Sequence, residues 1–432
     1  MFQRCFIWCT FCALLLITMH VSAQSSAPVG SATVSLDQAA ASRFDGYYQI
    51  APQRAVRYWR EGDHFFFGAV GTPQRAEAAP LAADKFSYAN GAVTFTFNAD
   101  ADGKITGVTI NQGGRDIVAP RIDEAVAKGF PAPGALAASQ PPVPRTWTML
   151  AGVVPKEVTA PTSGTIDYWP CFSPDGTIVL FSRSRDRGMT WALFRVPAVG
   201  GTAEPFAKLE VSATRASWSA KSGVIIFNGD AADGKSSGIW MIDRSGRNAR
   251  PIATENVVAP SYPSWYPDGK SIAFGGAAAN VLYRTDIAHG TPVAITHQEQ
   301  VLAGMSSVSP DGKWIVFAGQ KNRGQLYDQE DNQIWLVDGT GVSRTVEAQP
   351  LQGRAPSWSP DGTRLAFESD RGSQTRLYAV FVINRDGTGL VQVTDYALNA
   401  NHPVFSPDGR RLVFAMGDPA KAAANIAVVT LP

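Results

Sequence analysis

One short phrase, Ser-Pro-Asp-Gly or a close variant of it, recurs along the C-terminal two-thirds of the sequence. Asp175 and Asp408, in the first and last copies, lie 233 residues apart over five intervals, a mean of about 47. A period in this range, with strand-like content between the copies, is typical of a propeller or a similar array. The copies are 173–176, a degenerate 219–223, 266–269, 309–312, 359–362 and 406–409.

Each copy predicts a tight turn between two strands. Pro presets φ for the turn, the Asp carboxylate bonds nearby backbone N–H groups, and Gly takes the position with positive φ. We therefore interpret the repeated Asp residues as turn caps rather than as a circle of functional carboxylates. The strand after each turn carries a recurring Phe, at Phe181, Phe227, Phe274, Phe317, Phe367 and Phe414.

Further short segments rich in β-branched and aromatic residues follow each turn, and they give four strands per repeat. Six such repeats predict an all-β fold, a six-bladed β-propeller. The sixth copy lacks a fourth strand, whereas an unassigned strand-like segment, 156–159, precedes the first copy. We expect this segment to pair with residues 426–430 and to close the circle of blades, because closure hides strand edges.

Residues 1–23 have the pattern of a secretory signal peptide. Arg4 precedes an apolar run, and Ser22 and Ala23 predict cleavage after Ala23. The alternative interpretation is an uncleaved membrane anchor. Cleavage predicts a periplasmic or secreted protein without a stable membrane span. It would leave Cys171 as the single cysteine, which we expect to be a buried core residue.

Composition divides the rest of the chain into four parts. Residues 24–35 are small and polar and predict a flexible lead. Residues 36–122 contain seven strand-like segments separated by turns, which predict a small all-β domain, either a barrel or a rolled sheet. Residues 123–145 are an Ala- and Pro-rich linker. Residues 146–432 form the predicted propeller.

The Ser-Pro-Asp-Gly phrase, the Phe of the next strand and terminal segments such as Val391-Gln392-Val393-Thr394 resemble the WD40-like repeats of the TolB type. The resemblance implies an exported propeller that binds partner proteins in the cell envelope. TolB itself carries a different, α/β domain at its N-terminus. Here residues 36–122 resemble instead a small all-β domain often appended to serine beta-lactamase-like hydrolases, on segments such as 44–48, 60–63 and 102–107.

Few residue patterns suggest chemistry. The net charge of +1 argues against a nucleic-acid partner. Beyond the signal peptide there is no G-x-S-x-G motif, and His64, His289, His297 and His402 are not spaced as metal ligands. Residues 98–103 resemble the start of a calcium loop, but Thr109 stands where the bidentate Glu belongs, which favours a hairpin turn. We predict no catalytic residue, metal or cofactor.

The positions that differ between copies give the better site hypothesis. The residue just before each predicted inner strand should encircle the central channel, and we call these six residues the channel belt: Trp169, Arg215, Tyr262, Met305, Ala355 and His402. One residue earlier, Arg354 and Asn401 are the most polar candidates. Aromatic and Arg side chains are favoured at binding hot spots. Arg215 and Arg354 would hold a carboxylate or a sugar acid, and Trp169 and Tyr262 would stack on a sugar or proline.

Three functional hypotheses follow. The leading one is an exported, non-enzymatic binding or scaffold protein whose propeller docks a protein, a peptide or another envelope component such as a glycan. The alternative is a carbohydrate-active enzyme, a lyase or hydrolase of acidic oligosaccharides, that uses His402, Asn401, Arg354 and Tyr262. The third is a structural component of a larger assembly, docked through the N-terminal domain.

Overall fold

The chain folds into two units, an N-terminal barrel and a C-terminal propeller. The structure is a computed structural model, and it describes residues 42–51, 54–71, 75–88, 93–112, 115–130, 147–160, 164–186, 188, 190–231, 237–254, 257–276, 280–288, 290–322, 331–346, 352–373, 375, 377–418 and 423–432. The predicted signal peptide (1–23), the predicted lead (24–35) and most of the predicted linker (123–145) lie outside these ranges. Within the described ranges no helix has the length and apolar character needed to cross a bilayer.

Eight antiparallel strands form the barrel, which closes where β1 pairs with β8 through Tyr47–Ile122 and Tyr48–Arg121. Alternate side chains point inward and build an aromatic core around the fully buried Tyr58. A short helix, α1 (Glu124–Lys128), follows. The strands are β1 (Gly46–Ala51), β2 (Arg54–Glu61), β3 (His64–Ala69), β4 (Ala76–Ala82), β5 (Lys85–Tyr88), β6 (Val93–Ala99), β7 (Ile105–Gln112) and β8 (Arg115–Ile122).

The barrel has one strand more than the seven that the sequence predicts. The extra strand is β4, whose sequence Ala-Glu-Ala-Ala-Pro-Leu-Ala has low intrinsic strand propensity. It forms because it joins β3 to β5 and completes the hydrogen bonding around the barrel. Tertiary pairing here outweighs local preference, and only Ala78 of this strand is fully buried.

The propeller consists of six blades of antiparallel strands, as predicted. Blades one to three are β11 (Ile166–Phe172), β12 (Ile178–Ser184), β13 (Ala192–Pro197), β14 (Glu204–Pro205); β15 (Val211–Trp218), β16 (Ile225–Ala231), β17 (Ser237–Ile242), β18 (Arg250–Pro251); and β19 (Pro260–Trp265), β20 (Ser271–Gly276), β21 (Val281–Asp286), β22 (Val293–Ala294).

Blades four to six are β23 (Val301–Val308), β24 (Trp314–Lys321), β25 (Gln333–Asp338), β26 (Ser343–Thr345); β27 (Arg354–Trp358), β28 (Arg364–Ser369), β29 (Ala379–Asn384), β30 (Val391–Gln392); and β31 (Ala400–Phe405), β32 (Arg411–Asp418), β33 (Ala423–Thr430). In each blade the first strand contacts the first strands of its neighbours and is therefore the inner strand.

The repeated turns have the predicted geometry. Their glycines, including Gly223 of the degenerate copy, all have φ between 66° and 70°. In the first turn the carboxylate of Asp175 accepts hydrogen bonds from the Ser173 hydroxyl (2.6 Å) and the Thr177 N–H (3.0 Å). These bonds lower the pKa of Asp175 to about 2. The cap interpretation of the repeated Asp residues is therefore confirmed.

The predicted closure of the circle is also confirmed. Strand β10 (Lys156–Glu157) pairs antiparallel with β33 and supplies the fourth strand of blade six. The hydroxyl of Thr159 accepts the backbone N–H of Ile426 at 2.9 Å. Thr394 does the same for Val380 in blade five, also at 2.9 Å, so the two segments occupy equivalent places.

The chain also forms an unpredicted outer strand just before the closure. Strand β9 (Thr148–Met149) pairs parallel with β30 on the edge of blade five. Trp147 anchors it, because its indole N–H donates to the side-chain oxygen of Gln392 (3.2 Å) and its ring contacts Phe381. The polypeptide therefore covers the edges of two neighbouring blades before it enters blade one.

The recurring Phe of the second strand is buried in all six blades. It fills the space between one blade and the next, which explains why the repeat retains it. Cys171 is buried as expected, and burial raises the pKa of its thiol to about 12. A thiol with so high a pKa is a poor nucleophile at neutral pH.

Candidate functional site

Each inner strand contains a β-bulge at the channel belt. In blade one, Tyr168 pairs with Ser182 and Cys171 pairs with Leu180, so three steps along β11 match two along β12. The other five blades show a register shift at the equivalent place. Bulges re-aim side chains and are common beside functional sites.

All six belt residues adopt the left-handed backbone conformation, although none is glycine. Their φ values lie between 46° and 56°. This conformation costs a non-glycine residue roughly 1 kcal/mol or more. Its repetition in every blade shows that the bulge is part of the architecture rather than a local accident.

The belt position differs from the prediction in one respect. The sequence places these residues just before the inner strands, whereas the structure places them inside the strands, at the bulge. The prediction was wrong because the bulge interrupts the alternation of side chains, so the first half of each strand does not look continuous with the second. Four of the six belt residues contact a belt residue of a neighbouring blade, as described below.

Proline is the sequence signal for these bulges. Four belt residues precede a proline, at Pro170, Pro263, Pro356 and Pro403. Proline has no N–H to donate, so inside a strand it is tolerated at bulges and edges. A proline in the middle of a strand-like segment, at the same place in four copies, would have indicated the bulge.

Four belt residues from four different blades form one continuous cluster. The guanidinium carbon of Arg215 lies 4.4 Å from the ring centroid of Trp169 and 4.3 Å from that of Tyr262. Trp169 lies 5.9 Å, centroid to centroid, from the imidazole of His402. These cation–π and ring contacts hold Arg215 between rings from the two flanking blades.

Arg354 and Asn401 lie beside this cluster and have structural partners. Arg354 is 4% exposed and forms an ion pair with Glu368, with both guanidinium contacts between 2.9 and 3.0 Å. Asn401 is buried and donates to the backbone oxygen of Asn399. Arg354 is therefore neutralised within the protein. Of the two predicted carboxylate binders, only Arg215 has no acidic partner among the described residues.

His402 is neutral at physiological pH. Burial lowers the pKa of its imidazole to about 4, and the positive charges of Arg215 and Arg354 lower it further, against the opposing effect of Glu368. Its backbone N–H donates to the second oxygen of Glu368 at 2.6 Å. Glu368 therefore fixes both Arg354 and the bulge at His402.

Glu368 and Asn228 are site residues that the sequence reasoning missed. Asn228 accepts the backbone N–H of Tyr262 (3.1 Å), just as Glu368 accepts that of His402. Both residues directly follow the recurring Phe, where other copies have small residues. A polar side chain at this position, twice in six copies, was the available signal: each one supports the bulge of the next blade.

Several polar atoms of the cluster are buried without a hydrogen-bond partner. They include the indole nitrogen of Trp169, the Nε atom of Arg215 and the amide oxygen of Asn401. Such groups are uncommon in proteins because each carries a desolvation cost. Three of the eleven such atoms in the described residues therefore belong to the belt or to the residue just before it.

The remaining candidate positions add little chemistry. Met305 and Ala355 complete the belt with apolar side chains, both partly exposed. In the described part of the chain, no three His, Cys, Asp or Glu side chains cluster as a metal site requires. His289 lies outside the described residues. In the segment of the barrel that resembles a calcium loop, Asp100 accepts the N–H groups of Asp102 and Lys104, which makes it a hairpin cap.

Comparison with known proteins gives similarity over part of the chain, and no family model matches it. An uncharacterized protein of Agrobacterium fabrum is 30% identical over 205 residues, which is 44% of this chain and 66% of that protein. The Tol-Pal system protein TolB of Francisella tularensis subsp. mediasiatica is 26% identical over 195 residues, 44% of this chain and 43% of that protein.

In its repeat and its six blades, the propeller is similar to the TolB type. The solved structure of TolB from Acinetobacter baumannii has a TM-score of 0.44 and 17% identity, over 78% of this chain and 79% of that one. The chain thus spans less than two thirds of the curated relatives' lengths, and the TolB-type propeller is preceded here by a closed eight-stranded barrel.

Proposed function

We propose that this protein is an exported, non-enzymatic binding or scaffold protein whose channel belt docks a protein or peptide partner in the cell envelope. The observation that carries the proposal is the cluster of His402, Trp169, Arg215 and Tyr262, which four blades bring together. Each of these side chains is partly exposed. The cluster therefore combines rigid aromatic rings with the positive charge of Arg215, which has no acidic partner among the described residues.

The pattern of variation supports docking at this place. The Pro-Asp-Gly turn recurs in five of the six copies and the Phe in all six because the blades need them, whereas the belt residues differ in size, charge and polarity. Trp, Tyr and Arg dominate the binding energy of protein interfaces. The name of the curated TolB relative, a Tol-Pal system protein, supports a partner in the envelope and a periplasmic location.

The geometry does not favour the alternative, an enzyme acting on acidic oligosaccharides. A histidine with a pKa of about 4 is a weak general base at neutral pH. Arg354, a candidate for binding a uronate, is occupied by Glu368. A third candidate, Asn401, carries no ionisable group, and its side chain donates to the backbone oxygen of Asn399.

Site-specific photo-crosslinking tests the docking role. A photoreactive phenylalanine analogue at Met305 places the probe in the belt, and the same analogue at Lys313 places it in the exposed turn of the same blade. Exposure to light in an envelope extract of the source organism should give a discrete adduct at Met305 and none at Lys313. The triple variant Trp169→Ala, Arg215→Ala, His402→Ala, with the probe at Met305, should lose the adduct.

Equal labelling at both probe positions, or an adduct that survives the triple substitution, would contradict docking at the belt. Purified protein should also leave uronate oligomers unchanged. Sustained turnover of these oligomers would replace the binding role with the enzymatic alternative.

A further inference from the structure

We propose that the channel belt contains a preformed carboxylate site, built on Arg215, that takes a carboxylate of the docked peptide. The inference rests on the proposed docking function and names the chemical group that the docking site recognises. It depends on three properties of Arg215: its position, its unpaired charge and the incomplete hydrogen bonding of its guanidinium group.

The position of Arg215 is fixed from two sides. Its guanidinium lies over rings that the flanking blades contribute, Trp169 and Tyr262, at 4.4 and 4.3 Å. A long arginine side chain normally loses much rotamer freedom when it binds a ligand. Here the two rings already hold it, so that cost is met on folding and not on binding.

The charge of Arg215 has no acidic partner among the described residues. The two buried carboxylates of the propeller are both occupied by other arginines, Asp167 by Arg183 and Glu368 by Arg354. The histidine beside the cluster, His402, is neutral at pH 7. The belt therefore keeps one net positive charge in a partly buried place, where it attracts a single negative charge strongly.

The hydrogen bonds of Arg215 are also incomplete. One terminal nitrogen, Nη1, donates to the hydroxyl of Thr214 at the long distance of 3.3 Å, and Nε is buried without an acceptor. Aromatic faces attract the charge but offer no in-plane acceptor to the N–H groups. A carboxylate supplies one negative charge and two in-plane oxygens, which match the planar fork of a guanidinium.

The surroundings favour a carboxylate on a peptide over a phosphate or a sugar acid. A phosphate dianion would need two unpaired cations, and among the described residues the belt offers a single one, Arg215. A uronate carries several hydroxyl groups that need polar partners, whereas the two faces of the Arg215 guanidinium are covered by the rings of Trp169 and Tyr262, and Met305 lies further along the belt. These surfaces suit the apolar part of a peptide.

Binding of defined peptides to the full-length protein tests the site. The probes are acetyl-Ala-Ala-Ala with a free C-terminal carboxylate, its C-terminal amide, and acetyl-Ala-Asp-Ala amide, which carries the carboxylate on a side chain. Binding is followed by NMR of the arginine Nε–Hε signals and by tryptophan fluorescence. At least one carboxylate peptide should bind at least tenfold more tightly than the uncharged amide, and the better of the two identifies the source of the carboxylate.

Two substitutions that each remove one positive charge distinguish binding at a specific site from a general electrostatic attraction. Arg215→Gln should reduce the affinity for the carboxylate peptide at least tenfold. Arg195→Gln, which removes an exposed arginine on the outer part of blade one, should leave it unchanged. Arg215→Lys keeps the charge without the planar fork, and it should weaken binding at least fivefold even if Arg215→Gln fails to fold.

Equal binding of the amide and carboxylate peptides, or wild-type affinity in Arg215→Lys, would overturn the proposal. Tighter binding of galacturonate than of either peptide would overturn it in favour of an acidic glycan. If crosslinking at Met305 succeeds while these peptides fail to bind, the docking role stands and the carboxylate site falls. If the peptides bind while crosslinking at Met305 fails, the docking role is refuted and the carboxylate site stands.

Discussion

At the scale of single residues, the belt uses its ionisable groups unequally. Arg354 and Glu368 form an ion pair, burial keeps His402 neutral, and Arg215 has no acidic partner among the described residues. Similar residue types at neighbouring positions in the repeat therefore have different roles. The residue after the recurring Phe accounts for the difference between the two arginines, because it is Glu368 in the blade of Arg354 and the uncharged Asn228 in the blade of Arg215.

His402 predicts a pH dependence of stability. The pKa of His402 in the folded protein, about 4, lies below the usual 6.5. As the pH falls from 6.5, the imidazole is therefore protonated in the unfolded chain before it is protonated in the folded protein. The stability that this site contributes is complete above pH 6.5 and is lost as the pH approaches 4, by at most about 1.4 kcal/mol per pH unit. Urea unfolding of the wild type and of His402→Gln between pH 7.5 and 4.5 checks this.

The glutamine variant should show a shallower loss of stability over this range, because it cannot be protonated. All other titrating groups are shared by the two proteins, so the difference between their slopes isolates His402. Parallel slopes would mean that His402 titrates normally in the folded protein.

At the scale of elements, the inner-strand bulge is the feature that distinguishes the belt from the rest of the repeat. It turns one variable residue of each blade out of the regular alternation while the strand continues into the fixed turn. The left-handed backbone conformation costs conformational free energy, which the packing of the blades outweighs. That cost should be measurable where the belt side chain contributes least, at Ala355.

Ala355→Gly should stabilise the propeller by about 0.5–1 kcal/mol. Glycine adopts the φ of 46° without steric strain, which outweighs the greater freedom it loses on folding. The matched control is Ala192→Gly, at the exposed first residue of the regular strand β13, and it should destabilise the protein by a similar amount. Denaturant midpoints of the three proteins decide the question; loss of stability in both variants would show that the bulge is unstrained.

Regular elements were predictable from the sequence, and irregular ones were not. The turns, the buried Phe residues and the closing segment at Thr159 follow from a pattern that repeats six times, so an error in one copy is corrected by the others. Strand β4 and strand β9 occur once, have weak propensity and exist through pairing alone. The belt residues were identified by their variation, but their bulge and its support by Asn228 and Glu368 depend on contacts between blades.

At the scale of the whole molecule, the propeller depends on chain that comes before its first repeat. Strand β9 covers the outer edge of blade five, and β10 completes blade six. Trp147 is buried in the core cluster between blades four and five, and Val158 in the cluster between blades six and one. We propose that the propeller domain begins at residue 146 for this reason and not at the first Ser-Pro-Asp-Gly turn.

Two fragments of the chain test this boundary. Residues 146–432 retain β9 and β10, whereas residues 161–432 lack both and expose the edges of β30 and β33. The shorter fragment loses the burial of Trp147 and Val158, roughly 2 kcal/mol for each side chain, together with the hydrogen bond from Ile426 to Thr159. It should unfold at a clearly lower temperature by circular dichroism and form aggregates in size-exclusion chromatography, because an open strand edge is a template for pairing with a second chain.

Thr159→Val in the longer fragment should reproduce part of the loss, whereas Thr159→Ser keeps the acceptor oxygen and should stay close to the wild type. Equal melting temperatures for the two fragments would show that the blades hold together without this closure.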